Sequence, residues 1–129
     1  MTIQYFFLDD IRDAPTTFWR VFRDPLEFLK EIKSTLPQKV VISFDHDLGE
    51  NTISGYKVAC ELERMVMMGE WKPDFIKLMV HSQNPVGVAK LKVVCDNIMA
   101  MHWEQIREEV EREPELRWIS LCFGVALVY

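Results

Sequence analysis

Three short segments of this chain end at an acidic residue or a histidine, and this pattern restricts the folds that the chain can adopt. Residues 3–8 lead to Asp9, residues 40–44 lead to Asp45, and residues 75–80 lead to His81. The segments are largely apolar and rich in β-branched and aromatic residues, which is typical of strands buried on both faces of a parallel sheet. In such a sheet ligands bind outside the carboxyl ends of the strands. The sequence therefore predicts one shared polar site where these strands end.

Helix signals separate the strands. Asp24 and Ser54 are suitable N-cap residues, and Pro25 and Pro85 are suitable for the first helical position. The patterns predict helices over residues 25–36, 55–68 and 85–113, with further strands over residues 17–22 and 118–128. Apolar residues at helical spacing predict the buried stripes of the first two helices: Leu26, Leu29, Ile32 and Leu36 in the first, and Val58, Leu62, Met65 and Val66 in the second. This alternation predicts an α/β fold with a mostly parallel sheet and right-handed crossovers.

The connection between the first two strands is short. Eight residues, 9–16, separate them, whereas a parallel crossover normally needs about a dozen. Two alternatives stay open: a loop without a helix crosses one face of the sheet, or these strands are not parallel neighbours.

Composition excludes several classes of protein. The 129 residues are 49% apolar and carry a formal net charge of −5, which predicts one domain with a core of its own. No basic stripe is present, so nucleic acid is disfavoured as a partner. The three cysteines form no CxxC pair and are expected to be reduced and buried. With no signal-type N-terminus and no membrane-length apolar run, we expect a cytoplasmic protein without membrane contact.

The acids at the strand ends are candidate metal ligands. Asp9, Asp10, Asp45 and Asp47 offer the hard oxygen atoms that Mg²⁺ or Mn²⁺ prefers. Alternation along an extended chain places Asp45 and Asp47 on one side and His46 on the other, toward a neighbouring wall or the substrate rim. The alternative for each acid alone is ordinary turn chemistry.

The segment after the fourth strand suits an anion. Asn84 would cap the third helix, whose free N–H groups and positive dipole end attract phosphate, and Gly87 would let that phosphate come close. His81 could act as general acid or base, and Arg12 could bind phosphate through its guanidinium. The alternatives are a hydrogen-bonding structural histidine and a surface arginine paired with a nearby acid.

The Asp9–Asp10 pair, residues 41–49 and a helix opening at Gly55 resemble receiver domains of two-component response regulators. The resemblance implies that Asp45 matches the phosphoacceptor, that the backbone carbonyl of Asp47 binds Mg²⁺, and that His81 or Ser82 lies near the switch hydroxyl. Two features depart from that pattern: no Lys-Pro follows a clear fifth strand, and the first helix is missing or reduced to a loop.

A narrower family fits both departures. Residues 8–15, 43–49 and 81–87 closely resemble the receiver-like family predicted to process cyclic phosphates, over roughly residues 3–100. The resemblance implies a flavodoxin-like, three-layer fold whose first helix is reduced to a loop, and from its length we expect the chain to form one such domain over residues 1–129. Residues 101–129 diverge as a C-terminal helix and strand.

The leading hypothesis is a metal-dependent phosphoesterase that hydrolyses a cyclic phosphate of a nucleotide or ADP-ribose-like substrate. The four acids would hold the metal, His81 would protonate the departing hydroxyl with His46 as second candidate, and Arg12 would neutralise phosphate charge. Ser82, Asn84 and Gly87 would bind the phosphate-bearing ligand. Alternatives are Asp45 as nucleophile, a phospho-accepting signalling receiver, and a binding module without catalysis. A homodimer through the apolar C-terminal run also stays open.

Overall fold

A parallel sheet with three helices forms the part of the chain that the structure describes. This computed structural model describes residues 2–45, 53–81 and 85–112. The elements are β1 Gln4–Leu8, β2 Arg20–Phe22, α1 Pro25–Thr35, β3 Lys39–Phe44, α2 Gly55–Met67, β4 Phe75–Val80 and α3 Pro85–Arg112. The strands pair in the order β2-β1-β3-β4, all parallel. This is the order of flavodoxin-like sheets, so the predicted fold class is confirmed.

A loop joins β1 to β2. The two strands are parallel neighbours, with Phe6 opposite Arg20 and Leu8 opposite Phe22, and residues 9–19 between them form no helix. The first of the two alternatives is therefore correct. Strand β2 begins at Arg20 and not at residue 17 as predicted. Phe18 and Trp19 lie outside the strand, and both rings pack edge-on against Tyr5.

All three helices pack against one face of the sheet. In-register parallel strands put paired residues on the same face, and one set of paired residues is buried with the helices in a single cluster. The strand residues of this cluster are Phe6, Leu8, Val40, Ile42, Phe44, Ile76 and Leu78. Phe28 of α1 contacts the rings of Phe6 and Phe44 at centroid distances of 5.9 and 6.2 Å.

The helix ends follow their sequence signals. The Asp24 side chain accepts a hydrogen bond from the Leu26 N–H at 2.9 Å, and the Ser54 hydroxyl accepts one from Lys57 at 3.3 Å. Beyond the end of α2, Gly69 adopts φ 72°, a left-handed conformation that glycine adopts without strain.

One helix face was predicted wrongly. Leu26 was expected on the buried stripe of α1 but is 63% exposed, whereas Phe28 is fully buried. Helix α1 packs through residues 25, 28, 29 and 32, so it is rotated relative to the predicted stripe. The predicted stripe of α2, which includes Val58 and Leu62, is confirmed.

The predicted strand over residues 118–128 lies outside the described residues. Among the described helices, none combines the length and apolar character that a bilayer span requires.

Candidate functional site

Three carboxylates meet where β1 and β3 end. Asp9 and Asp10 follow β1 and Asp45 follows β3, and one oxygen atom of each lies within 4.8 Å of the other two. The register causes this meeting, because Leu8 pairs with Phe44 and the Asp45 N–H donates to the Leu8 carbonyl at 2.9 Å. Asp9 and Asp45 are buried, at 1% and 8% exposure. The predicted neighbours therefore form one acidic cluster: Asp9, Asp10 and Asp45.

Asp9 is the most constrained of the three acids. Its Oδ1 accepts hydrogen bonds from the backbone N–H groups of Ile11 and Arg12, both at 2.8 Å, and its Oδ2 lies 3.0 Å from Nε2 of His81. Burial by itself raises the pKa of Asp9, but the two backbone hydrogen bonds and then His81 outweigh it, so the pKa lies below 3.8. Asp9 is therefore a carboxylate at neutral pH.

His81 lies beside the acidic cluster, and protein groups hold both of its ring nitrogens. Nε2 faces Asp9, and Nδ1 lies 2.6 Å from the hydroxyl oxygen of Ser43. The imidazole stacks on Phe7 with centroids 4.2 Å apart and planes 6° apart. The His81 backbone N–H donates to the Phe44 carbonyl at 2.8 Å, so the pairing of β4 with β3 places the imidazole near the carboxyl end of β3.

Side-chain alternation explains why these groups share a face. Phe7 and Ser43 are register partners and point away from the helix-covered face that holds Phe6 and Ile42. Because His81 contacts both of them, the imidazole also lies on the face opposite the helices. The site and the main core are therefore on opposite sides of the sheet.

Arg23, which the sequence did not single out, forms hydrogen bonds to the segment that follows β1. Nη1 of Arg23 donates to the backbone carbonyls of Asp9 and Arg12, and Nη2 donates to Asp13 at 3.2 Å. Arg23 directly follows β2, so the same strand-end signal that identified the acids could have identified it. Arg12 holds Asp9 through its backbone N–H; the predicted role of its side chain at phosphate stays a prediction.

The remaining predicted site residues are only partly covered by the structure. His46, Asp47, Ser82 and Asn84 lie outside the described residues. Gly87 is described and is buried in the first turn of α3. Its predicted contact with phosphate stays a prediction.

Comparison with known proteins identifies the family. The model of the cyclic-phosphate processing receiver domain matches residues 4–97. The chain belongs to this family. No curated protein and no solved structure matches the chain. The match includes the acidic cluster and His81, so the expected family resemblance and the receiver-like fold are both confirmed.

The acidic cluster suits the metal that receiver domains bind. Receiver domains hold Mg²⁺ at an acidic pocket, and Mg²⁺ coordinates oxygen at about 2.1 Å, so its opposite ligands are about 4 Å apart. Carboxylate oxygens within 4.8 Å of one another can reach one such ion with small side-chain adjustments. Grouped carboxylates also repel one another unless a cation lies among them. Asp9, Asp10 and Asp45 could therefore hold Mg²⁺ or Mn²⁺.

Proposed function

We propose that this receiver-family domain is a Mg²⁺-dependent phosphoesterase that opens a cyclic phosphate on a nucleotide or ADP-ribose-like molecule. One observation carries the proposal: the carboxylates of Asp9, Asp10 and Asp45 converge within 4.8 Å, and His81 contacts Asp9 at 3.0 Å. The cluster combines ligands for a hard cation with a group that can transfer a proton, and each can accelerate the hydrolysis of a phosphodiester.

Asp9, Asp10 and Asp45 would hold the metal, with Asp47 as a fourth predicted ligand. When bound, Mg²⁺ would polarise the phosphate and lower the pKa of a water molecule. The backbone hydrogen bonds to Asp9 keep one of its oxygens in place, so the carboxylate is oriented before any ligand binds. Such orientation avoids reorganisation during the reaction.

His81 is the proposed general acid. Ring opening forms one P–O bond to the oxygen of water and breaks one P–O bond to the sugar, whose oxygen needs a proton. Nε2 of the protonated imidazole of His81 would supply that proton, and the water would release one proton to a base. His46 is the second candidate for acid or base. Arg12 and the N-terminus of α3 would balance the charge on phosphate.

Turnover of cyclic phosphates tests the proposal. The protein is incubated with nucleotide and ADP-ribose cyclic phosphates, with Mg²⁺ or with chelator, and ring opening is followed by phosphorus NMR. We expect product only with the metal, and a loss of at least about 100-fold in Asp45→Asn. Asp96→Asn is the matched control, because Asp96 is an exposed acid on α3. An inactive wild-type protein across the panel would contradict the proposal.

Two other outcomes would point to the alternatives. Stable Mg²⁺-dependent labelling of Asp45 by a small phosphodonor, without ring opening, would identify a signalling receiver. Tight binding of a cyclic phosphate without consumption would identify a binding module. An acyl phosphate on Asp45 that forms and decays during turnover would instead identify Asp45 as the nucleophile of the same enzyme.

A further inference from the structure

Ser43 contacts His81 from inside strand β3. Its hydroxyl oxygen lies 2.6 Å from Nδ1 of the imidazole, and the residue is only 4% exposed. Burial excludes it as a nucleophile for a ligand of nucleotide size. Its position on the same face as Phe7 nevertheless places a polar group beside Nδ1 of His81.

The chemistry of its partners determines how this hydroxyl acts. A carboxylate only accepts hydrogen bonds, so the contact between Asp9 and His81 requires a proton on Nε2. In a neutral imidazole the other nitrogen, Nδ1, is then an acceptor and needs a donor. Among the residues that the structure describes, the Ser43 hydroxyl lies within hydrogen-bond distance of it, at 2.6 Å.

Phe7 restricts the tilt of the His81 imidazole out of its plane. The two hydrogen bonds fix the imidazole within its plane, and the stacked ring of Phe7, 4.2 Å away, fixes the plane itself. Phe7 is buried and packs against the edge of Trp19 at a centroid distance of 5.9 Å. The contacts that support His81 therefore extend from the site to Trp19 in the loop before β2.

We infer that Ser43 is a positioning residue: it donates to Nδ1 of His81 and thereby holds the imidazole as the Nε2–H tautomer, directed at Asp9. The effect on turnover rests on the proposed function, whereas the tautomer does not. An analogous arrangement is common around metal sites, where a partner of the outer nitrogen fixes the tautomer and orientation of a histidine. Here the histidine would be oriented toward a metal-binding carboxylate.

Nitrogen NMR of the metal-free protein tests the tautomer directly. In long-range proton–nitrogen spectra at alkaline pH, wild-type His81 should show a protonated Nε2 and an unprotonated, hydrogen-bonded Nδ1. In Ser43→Ala the two nitrogens should shift toward the averaged values of a mixed tautomer population, and Ser43→Thr, which keeps the hydroxyl, should restore the wild-type pattern. Ser34→Ala, in which an exposed serine of α1 is changed, is the matched control and should resemble the wild type.

Two results would overturn the inference: a wild-type pattern in Ser43→Ala, or a wild-type protein with the proton on Nδ1. If Ser43→Ala fails to fold, Ser43→Cys replaces it, because a thiol is only a weak donor to Nδ1; a wild-type pattern in Ser43→Cys would then overturn the inference. If the wild type opens cyclic phosphates, we expect turnover in Ser43→Ala to fall about 10- to 100-fold with Ser43→Thr less affected. If no cyclic phosphate is consumed, the proposed function fails while the tautomer result still stands.

Discussion

Replacing Asp10 by asparagine should stabilise the metal-free protein. Asp10 is half-buried, and an oxygen of its side chain lies within 4.8 Å of an oxygen of Asp9 and of Asp45. Two unit charges at that separation repel each other by about 1 kcal/mol in a water-like dielectric and by more where water is excluded. Asn keeps the shape of Asp and removes the charge, so each of the two pairs loses about this repulsion. We expect the free energy of unfolding to rise by about 1–2 kcal/mol.

Urea denaturation measures this effect, first with chelator and then over a series of Mg²⁺ concentrations. The gain should shrink in about 1 M salt, because screening weakens the repulsion. In the wild type a ligand at 100 times its dissociation constant adds about 2.7 kcal/mol, and Asp10→Asn should show much less stabilisation at the same Mg²⁺ concentration. Asp96→Asn should change neither value. A less stable Asp10→Asn protein with an unchanged Mg²⁺ response would refute the reasoning.

Three further predictions concern the fold. Burial lowers the pKa of His102 below 6.5, so below about pH 6.5 the unfolded state binds more protons than the folded state and the free energy of unfolding should fall. Urea midpoints at several pH values should show a smaller fall in His102→Gln than in the wild type, and an equal fall would contradict this. In Trp71→Phe the buried carbonyl of Pro37 loses its 3.0 Å indole donor, which should cost about 1–3 kcal/mol, whereas a change within experimental error would disprove it. Phe28→Ala should cost about 3–5 kcal/mol and Leu26→Ala, at an exposed position, under about 0.5 kcal/mol; similar losses in thermal unfolding would mean that α1 packs differently.

The strand ends could be predicted from sequence because one physical rule connects them. Apolar segments followed by acids indicate buried parallel strands, and parallel strands bring their carboxyl ends together. Asp9, Asp45 and His81 meet for this reason, although residues 9 and 81 are far apart in the chain. The α2 stripe was predictable as well, since its apolar spacing matches the helical repeat.

The remaining features depend on tertiary contacts. Which of Leu26 and Phe28 is buried depends on the rotation of α1 against the sheet, which brings Phe28 against Phe44 and which apolar spacing leaves open. The role of Ser43 depends on its register with Phe7 and on the path of β4. The register and the path of β4 cannot be deduced from one strand alone, because side-chain alternation gives the face on which a residue lies but not the residue opposite it on the next strand.

The separation of the site from the helix-covered face of the sheet has a consequence for how this domain can evolve. Phe7, Ser43 and His81 occupy one side of the sheet, and the residues that bury the described helices occupy the other. Substitutions that alter ligand preference can therefore accumulate at the strand ends without changing the contacts between the helices and the sheet. We expect such a domain to acquire new substrates more readily than one whose reactive groups are embedded among its helices.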